Sequence, residues 1–177
     1  MNTRNLIIFV LTIFMFFSCK SENEKPKAEY NQKANELIAQ LISEGDCDCI
    51  LEIPEESMIE FDTIEILNFE YVNYYMKRLS LKNKKELDSV NNLSKKFVLD
   101  TKILERNDIK IINRDSLRFL KYDINFNTKI CQNLRYLIKP IFNKEFDIAI
   151  IDYGYSGFCL SQEKQIFEYK NKKWIRK

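Results

Sequence analysis

An α+β fold is predicted, with N-terminal amphipathic helices packed on a C-terminal antiparallel β-meander, and three observations predict it. Apolar residues recur at helical spacing through the first part of the chain. From Ile109 onward they gather instead in short β-branched and aromatic runs separated by polar turns. Helices first and strands last is the order of an α+β domain, not of alternating βα units.

In chain order, Ala34, Leu37, Ile38, Leu41 and Ile42 form one helical stripe closed by Gly45, so the first helix spans about 29–44. A short linker carrying Cys47 and Cys49 leads to Pro54, Glu55 and Glu56, a helix start with acids in its first turn. Residues 61–79 are dense in aromatics (Phe61, Phe69, Tyr71, Tyr74, Tyr75); neither period prevails, and a helix is the preferred reading. Leu87, Val90 and Leu93 give a helix over 84–96 one buried face. Ile109 to Ile112 is a short strand run, and 115–120 is one or two helical turns. Leu134–Phe142 and Phe146–Tyr155 flank Asn143, Lys144 and Glu145 as a hairpin, and 165–169 and 173–175 flank 170–172 as a second. There is no internal repeat.

Composition excludes several functions. The 28 basic and 26 acidic residues leave a net charge of +2, which offers no field for sequence-independent phosphate binding, so nucleic acid is not an expected partner. The chain has no histidine, which removes Ser-His-Asp and Cys-His nucleophile arrangements and every His-based zinc site. Three glycines, Gly45, Gly154 and Gly157, cannot build a Walker A loop or a G-x-G-x-x-G turn. No cofactor and no metal are expected.

At the amino terminus, Arg4 is the single cation before an apolar run, Leu6 to Phe17, broken only by Thr12. These are the n-region and h-region of a secretory signal. The run falls short of the roughly 20 residues needed to cross hydrocarbon. It closes on Phe16, Phe17, Ser18 and Cys19, and the small residue before a cysteine resembles the lipobox of bacterial lipoproteins, with Phe16 where leucine is usual. The resemblance covers about the first twenty residues. It implies cleavage between Ser18 and Cys19, removal of 1–18, and acyl chains of the palmitate kind on Cys19. Two or more chains, at about 0.8 kcal/mol per buried methylene, anchor stably, so the mature protein is expected to sit on a membrane without crossing it.

Residues 19–28 then read as a lipid-anchored tether, since Lys20 to Lys27 holds no hydrophobic residue, and 29–177 as a single α+β domain. Cys19, Lys20, Ser21, Glu22 and Glu24 resemble the anchor region of lipoproteins from the Bacteroidota, where acids after the cysteine can mark surface display. The implied location is the cell envelope, at the outer membrane, on its periplasmic face or at the cell surface.

With Cys19 lipidated, Cys47, Cys49, Cys131 and Cys159 remain. An exported, even set points to two disulfides. Cys47 and Cys49 are too close for an easy mutual bridge, so each is expected to pair with Cys131 or Cys159, tying the helical half to the sheet. Four reduced thiols are the alternative. A zinc site is opposed by the lack of C-x-x-C spacing and of histidine.

Glu44, Asp46 and Asp48 read as a solvated loop in preference to a calcium site, because the ligand spacing of a known calcium motif is absent. Lys170, Lys172, Lys173, Arg176 and Lys177 read as a wet edge hairpin whose lysines discourage edge pairing, in preference to a contact with anionic head groups. Gly154 and Gly157, in Tyr153-Gly154-Tyr155-Ser156-Gly157-Phe158-Cys159, mark a shaped loop closing two strands.

Pro140 to Phe146, Ala149 to Ile151, the Tyr-Gly-Tyr and Gly-Phe-Cys elements, and Lys173-Trp174-Ile175 resemble the C-terminal segment of a family of Bacteroidota lipoproteins, over about Leu134 to Ile175. Ser156 and Leu160 stand where those relatives carry a second cysteine and more glycine, so no local bridge is implied here. That family has no assigned activity, and the resemblance speaks to fold and location only.

The expected function is that of a non-catalytic, lipid-anchored module binding a protein of the envelope, an immunity-type lipoprotein being one version; Tyr and Trp suit such interfaces. A hydrolase working through a carboxylate pair such as Asp152 and Glu168 is the alternative class, and a small-ligand or ion binder the third.

Overall fold

The computed structural model describes residues 24–45, 47–60, 69–116, 131, 133–155 and 164–177. The predicted α+β class holds, with an N-terminal helix packed on C-terminal strands. Helix α1 (Glu24–Glu44) buries Tyr30, Ala34, Leu37, Ile38, Leu41 and Ile42. It begins at Glu24, so residues 24–28 of the stretch read as tether are helical. Pro26 is tolerated there because first-turn N–H groups have no intrahelical acceptor.

Strand β1 (Cys49–Leu51), read from sequence as linker, is too short to show alternation and is buried along its length. The helix expected at Pro54 starts later. Ser57 Oγ accepts from Glu60 N at 3.3 Å while Ser57 N donates to Glu60 Oε2 at 3.2 Å, a reciprocal capping box ahead of the helical residues 58–60. Helix α2 (Phe69–Arg78) settles the aromatic stretch as helical where it is described. Helix α3 (Lys84–Lys95) follows the prediction, capped by Asn83 Oδ1 on Glu86 N at 3.0 Å. Helix α4 (Thr101–Arg106), not anticipated, is capped by Asp100 and leads into β2 (Lys110–Ile112). Residues 114–116 are helical, and 117–120 lie outside the described residues.

The first predicted hairpin is one bent ladder whose arms each split in two. Strands β3 (Leu134–Leu137) and β4 (Ile141–Phe142) form one arm, β5 (Ile148–Ile151) and β6 (Tyr153–Tyr155) the other. Leu137 pairs with Tyr153 and Ile141 with Ile150; at the bend Ile138 N still reaches Asp152 O at 2.9 Å. Pro140, without an N–H, lies at the break, and its carbonyl accepts from Tyr30 Oη at 2.6 Å and Ser94 Oγ at 3.1 Å. Strands β7 (Gln165–Lys170) and β8 (Lys173–Arg176) form the second hairpin. Its turn residues Asn171 and Lys172 sit at φ 52° and 63°, the mirror-type turn that suits strand twist, made without glycine.

The bend sends the two halves of the ladder into different sheets. One is antiparallel throughout, in the order β4-β5-β7-β8; the other has the order β2-β1-β3-β6, with β1 parallel to both β2 and β3. The mixed sheet goes beyond the expected meander. Parallel pairing needs a crossover, and helices α2 to α4 lie between β1 and β2 in the chain. The antiparallel sheet is covered by α1 on one face, where Phe142, Ala149, Phe167 and Trp174 pack, and over β4 and β5 on the other, where Ile141 and Ile150, with Ile138 from the bend, pack with Met58, Tyr75, Leu79, Leu87 and Val90. The mixed sheet has a smaller cluster of Cys49, Leu51, Ile112, Cys131 and Leu134.

Candidate functional site

Between the C-terminal half of α1 and the β7–β8 hairpin lies an open groove of about 560 Å³. Buried Leu41, Phe167 and Trp174 form its floor, half-exposed Ile175 contributes apolar surface, and Glu44, Lys170, Lys173 and Arg176 contribute charge. Strand register explains the arrangement. Phe167 pairs with Arg176 and Tyr169 with Trp174, so these four side chains share the face turned to α1. Trp174 is buried, with the rings of Phe142 and Tyr169 at 5.5 and 4.9 Å.

Gln40 joins helix to hairpin. Its Nε2 donates to Trp174 O at 2.7 Å and to Glu44 Oε1 at 2.9 Å, and its Oε1 accepts from Trp174 N at 2.9 Å. One side-chain amide thus stands in for a further strand at Trp174 and blunts the sheet edge. Lys33 Nζ lies 3.4 Å from the Tyr169 ring centroid, a cation–π contact. Glu168 takes ion pairs from Lys170 at 2.9 Å and Lys177 at 3.3 Å, and these hold its carboxyl below the usual range. Lys173 and Arg176 make no ion pair among the described residues.

Cys49 and Cys131 form a disulfide with Cα atoms 5.9 Å apart, one of the pairings expected from sequence. The bridge belongs to the mixed sheet, tying β1 to the chain that enters β3, and leaves the antiparallel sheet untied. Cys47 is a buried free thiol whose Sγ donates to Cys49 O at 3.4 Å; Cys159, the other partner expected for it, lies outside the described residues. Burial pushes the Cys47 thiol up, against the opposing effect of the Arg135 charge, so it stays protonated and unreactive at neutral pH. The Arg135 guanidinium carbon lies 5.6 Å from the Tyr153 ring centroid, and Tyr153 Oη donates to Leu41 O at 3.3 Å. Gly45 follows α1 as expected, but its φ is not positive and its service is space: a Cβ there would sit 3.3 Å from Leu41 O and 3.4 Å from Tyr153 Oη.

The other sequence candidates separate. Glu168 pairs across the ladder with Ile148, and Asp152 lies four residues further on, past the end of β5, so the Cα positions are offset by about 13 Å along the strand direction and the ladder does not set the two residues side by side. Two-carboxylate hydrolysis holds its pair at roughly 5–9.5 Å. Asp152 instead accepts from Tyr136 Oη at 2.7 Å; burial, then the adjoining carboxylate, raises the phenol. Gly154, expected in a loop, is a strand residue paired with Tyr136, because the flanking Tyr153 and Tyr155 continue the ladder to Leu137 and Arg135. Glu44 is exposed and engaged by Gln40, and Asp48 is exposed. Ser18, Cys19, Asp46 and Gly157 lie outside the described residues. Among the described residues no three Cys, Asp or Glu side chains gather to hold a metal.

Sequence reading missed Gln40, since it pairs with a residue 134 positions away and carries no local motif. Comparison with family models, with curated proteins and with solved structures finds no match.

Proposed function

We propose that this chain is a lipid-anchored cell-envelope protein, held at the outer membrane through Cys19, that works as a non-catalytic protein-binding module. An immunity-type role, in which the bound protein is a toxin, is one specific version. The observation that carries the reading is the groove: over buried Leu41, Phe167 and Trp174 it presents half-exposed Ile175 beside Lys173 and Arg176, two cations without an ion-pair partner among the described residues. Partly apolar, partly wet surfaces of this kind suit recognition of a protein. The separation of Asp152 from Glu168 favours binding over hydrolysis by that pair. The run Leu6 to Phe17 ending at Cys19 supports export and anchoring, and a disulfide is at home in an oxidising envelope.

Two measurements test the reading. Intact mass of the protein purified from its native envelope is expected to show acyl chains on Cys19 and loss of 1–18; an unmodified full-length mass would sink the anchor. Light crosslinking in the same envelope is expected to capture one stoichiometric protein with wild type, less with Cys19→Ala, and less with the pair Lys173→Glu and Arg176→Glu. Recovery of the chain alone in all cases would overturn the binding module.

A further inference from the structure

We infer that the groove takes an extended acidic segment of the partner protein, laid as an added strand along the edge of β8. The inference rests on the protein-binding reading and names the chemistry of what is bound. Its first support is backbone geometry. Lys177 N points inward, donating to Ile166 O at 2.8 Å, whereas the N–H and C=O of Trp174 both reach outward to Gln40. Peptide groups alternate in direction along a strand, so those of Arg176 also point out of the sheet. β8 is the last strand in its sheet, and no described strand lies beside it. Gln40 therefore meets the edge at Trp174 and leaves a donor and an acceptor open one step on.

Charge supplies the second support. Lys170, Lys173 and Arg176 line the groove against one carboxylate, Glu44, which already accepts from Gln40. Lys173 and Arg176 are exposed and have no ion-pair partner among the described residues. An incoming strand turns alternate side chains to opposite faces. Carboxylates on its α1-facing side meet Arg176, while its other side meets Lys173 and Ile175, the latter half exposed. Main-chain bonds to the edge give affinity and the flanking cations give selectivity, the division of labour in strand addition. A basic segment would meet like charge on both sides.

The test uses the full acylated protein in detergent micelles, titrated with two synthetic octapeptides, one alternating Glu and Val and the other alternating Lys and Val. The acidic peptide is expected to bind and to slow hydrogen exchange at the Arg176 amide, and the basic one to leave both readouts unchanged. Reversing two exposed charges, with Lys173→Glu and Arg176→Glu combined, is expected to weaken the acidic peptide by at least about tenfold with the circular dichroism spectrum unaltered. Absence of binding up to about 1 mM, equal binding of both peptides, or binding indifferent to the charge reversal would overturn the proposal. Envelope crosslinking keeps the two ideas apart. A captured partner that survives the double reversal leaves the binding module standing and removes this site, and loss of the partner in that variant supports both.

Discussion

The two sheets of this domain are held together by different means. The antiparallel sheet is buried by α1 on one face and, over β4 and β5, by Met58 with α2 and α3 on the other. The mixed sheet has strands of three or four residues; Ile50, Leu137 and Tyr153 join the α1 core, and a separate cluster of five buried side chains carries a covalent bond between two of them, Cys49 and Cys131. Short strands bury too little apolar surface to hold alone. A crosslink that closes a long loop works instead on the unfolded chain. One small domain thus divides its cohesion: helix packing reaches both sheets, and the bridge adds a crosslink to the smaller cluster of the mixed sheet.

Removing Phe142 is the strongest way to break the first arrangement. Its ring is buried between those of Tyr30, Phe146 and Trp174, at centroid distances of 5.4, 6.0 and 5.5 Å. Phe142→Ala is expected to cost about 3–5 kcal/mol in denaturant unfolding, from lost transfer energy and the cavity left behind. Exchange at the β5 and β7 amides should accelerate with it. Unchanged stability would show that the antiparallel sheet is not held by this cluster.

Replacing Cys49 and Cys131 together by Ser probes the second arrangement. The bridge spans 82 residues, for which chain entropy gives up to about 4.5 kcal/mol, with native relaxation taking the measured loss below that figure. The expected signature is regional: β1 and β3 amides exchange faster while those of β5 and β7 keep their protection. Uniform loss across both sheets would mean that the domain opens as one unit and that the division is only geometric.

Gln40→Ala sharpens the comparison at the boundary between packing and edge. It deletes both hydrogen bonds to the Trp174 backbone, and the expected loss is about 1–2 kcal/mol with faster exchange at the Trp174 amide. Gln40→Glu keeps the acceptor for Trp174 N and removes the donor, so an intermediate loss is expected. Equal stability for all three proteins would show that the sheet edge needs no such cover.

What was legible in the sequence follows from range. The stripe Ala34 to Ile42, the spacing of Leu87 and Val90, and the β7–β8 hairpin are local patterns, and each forms the expected element. The strand β1 was hidden because three residues carry no period, and the start of the helix at Ser57 was hidden by the louder signal of Pro54. The bend that splits the long hairpin between two sheets depends on Tyr30 and Ser94 meeting the carbonyl of Pro140, contacts 110 and 46 residues apart in sequence. The same holds for the candidate site. The aromatic and basic composition of the last hairpin was visible, while the helix face that turns it into a groove was not. Among the cysteines, spacing excluded the pair Cys47 and Cys49, and only the fold selected Cys131 for Cys49.

The smallest expected effects are in pH dependence, and they separate surface ion pairs from a buried cation. The carboxyls of Glu60, Glu86 and Glu168 are held low by Lys95, Lys144 and Lys170 respectively. A depressed carboxyl contributes stability above its unfolded pKa, about 4.3, and loses it as pH falls through the folded value. Lys139 behaves oppositely. It is buried, with Nζ donating to Glu55 O at 2.6 Å and Lys95 O at 3.2 Å, and burial pulls its pKa below that of free lysine, against the pull of Glu55, Glu56 and Glu60. The unfolded chain then holds this proton more tightly, so the group opposes folding at neutral pH. That opposition fades as pH rises from the folded pKa toward about 10.4. Melting temperature against pH is therefore expected to fall on acidification below about pH 4.3 and to carry a small rise on the alkaline side. The acid fall stays modest because these pairs lie largely at the surface, where water screens them. Lys139→Met should flatten the alkaline rise and leave the acid limb unchanged, and an alkaline limb identical in both proteins would show that Lys139 is as well solvated as a surface lysine.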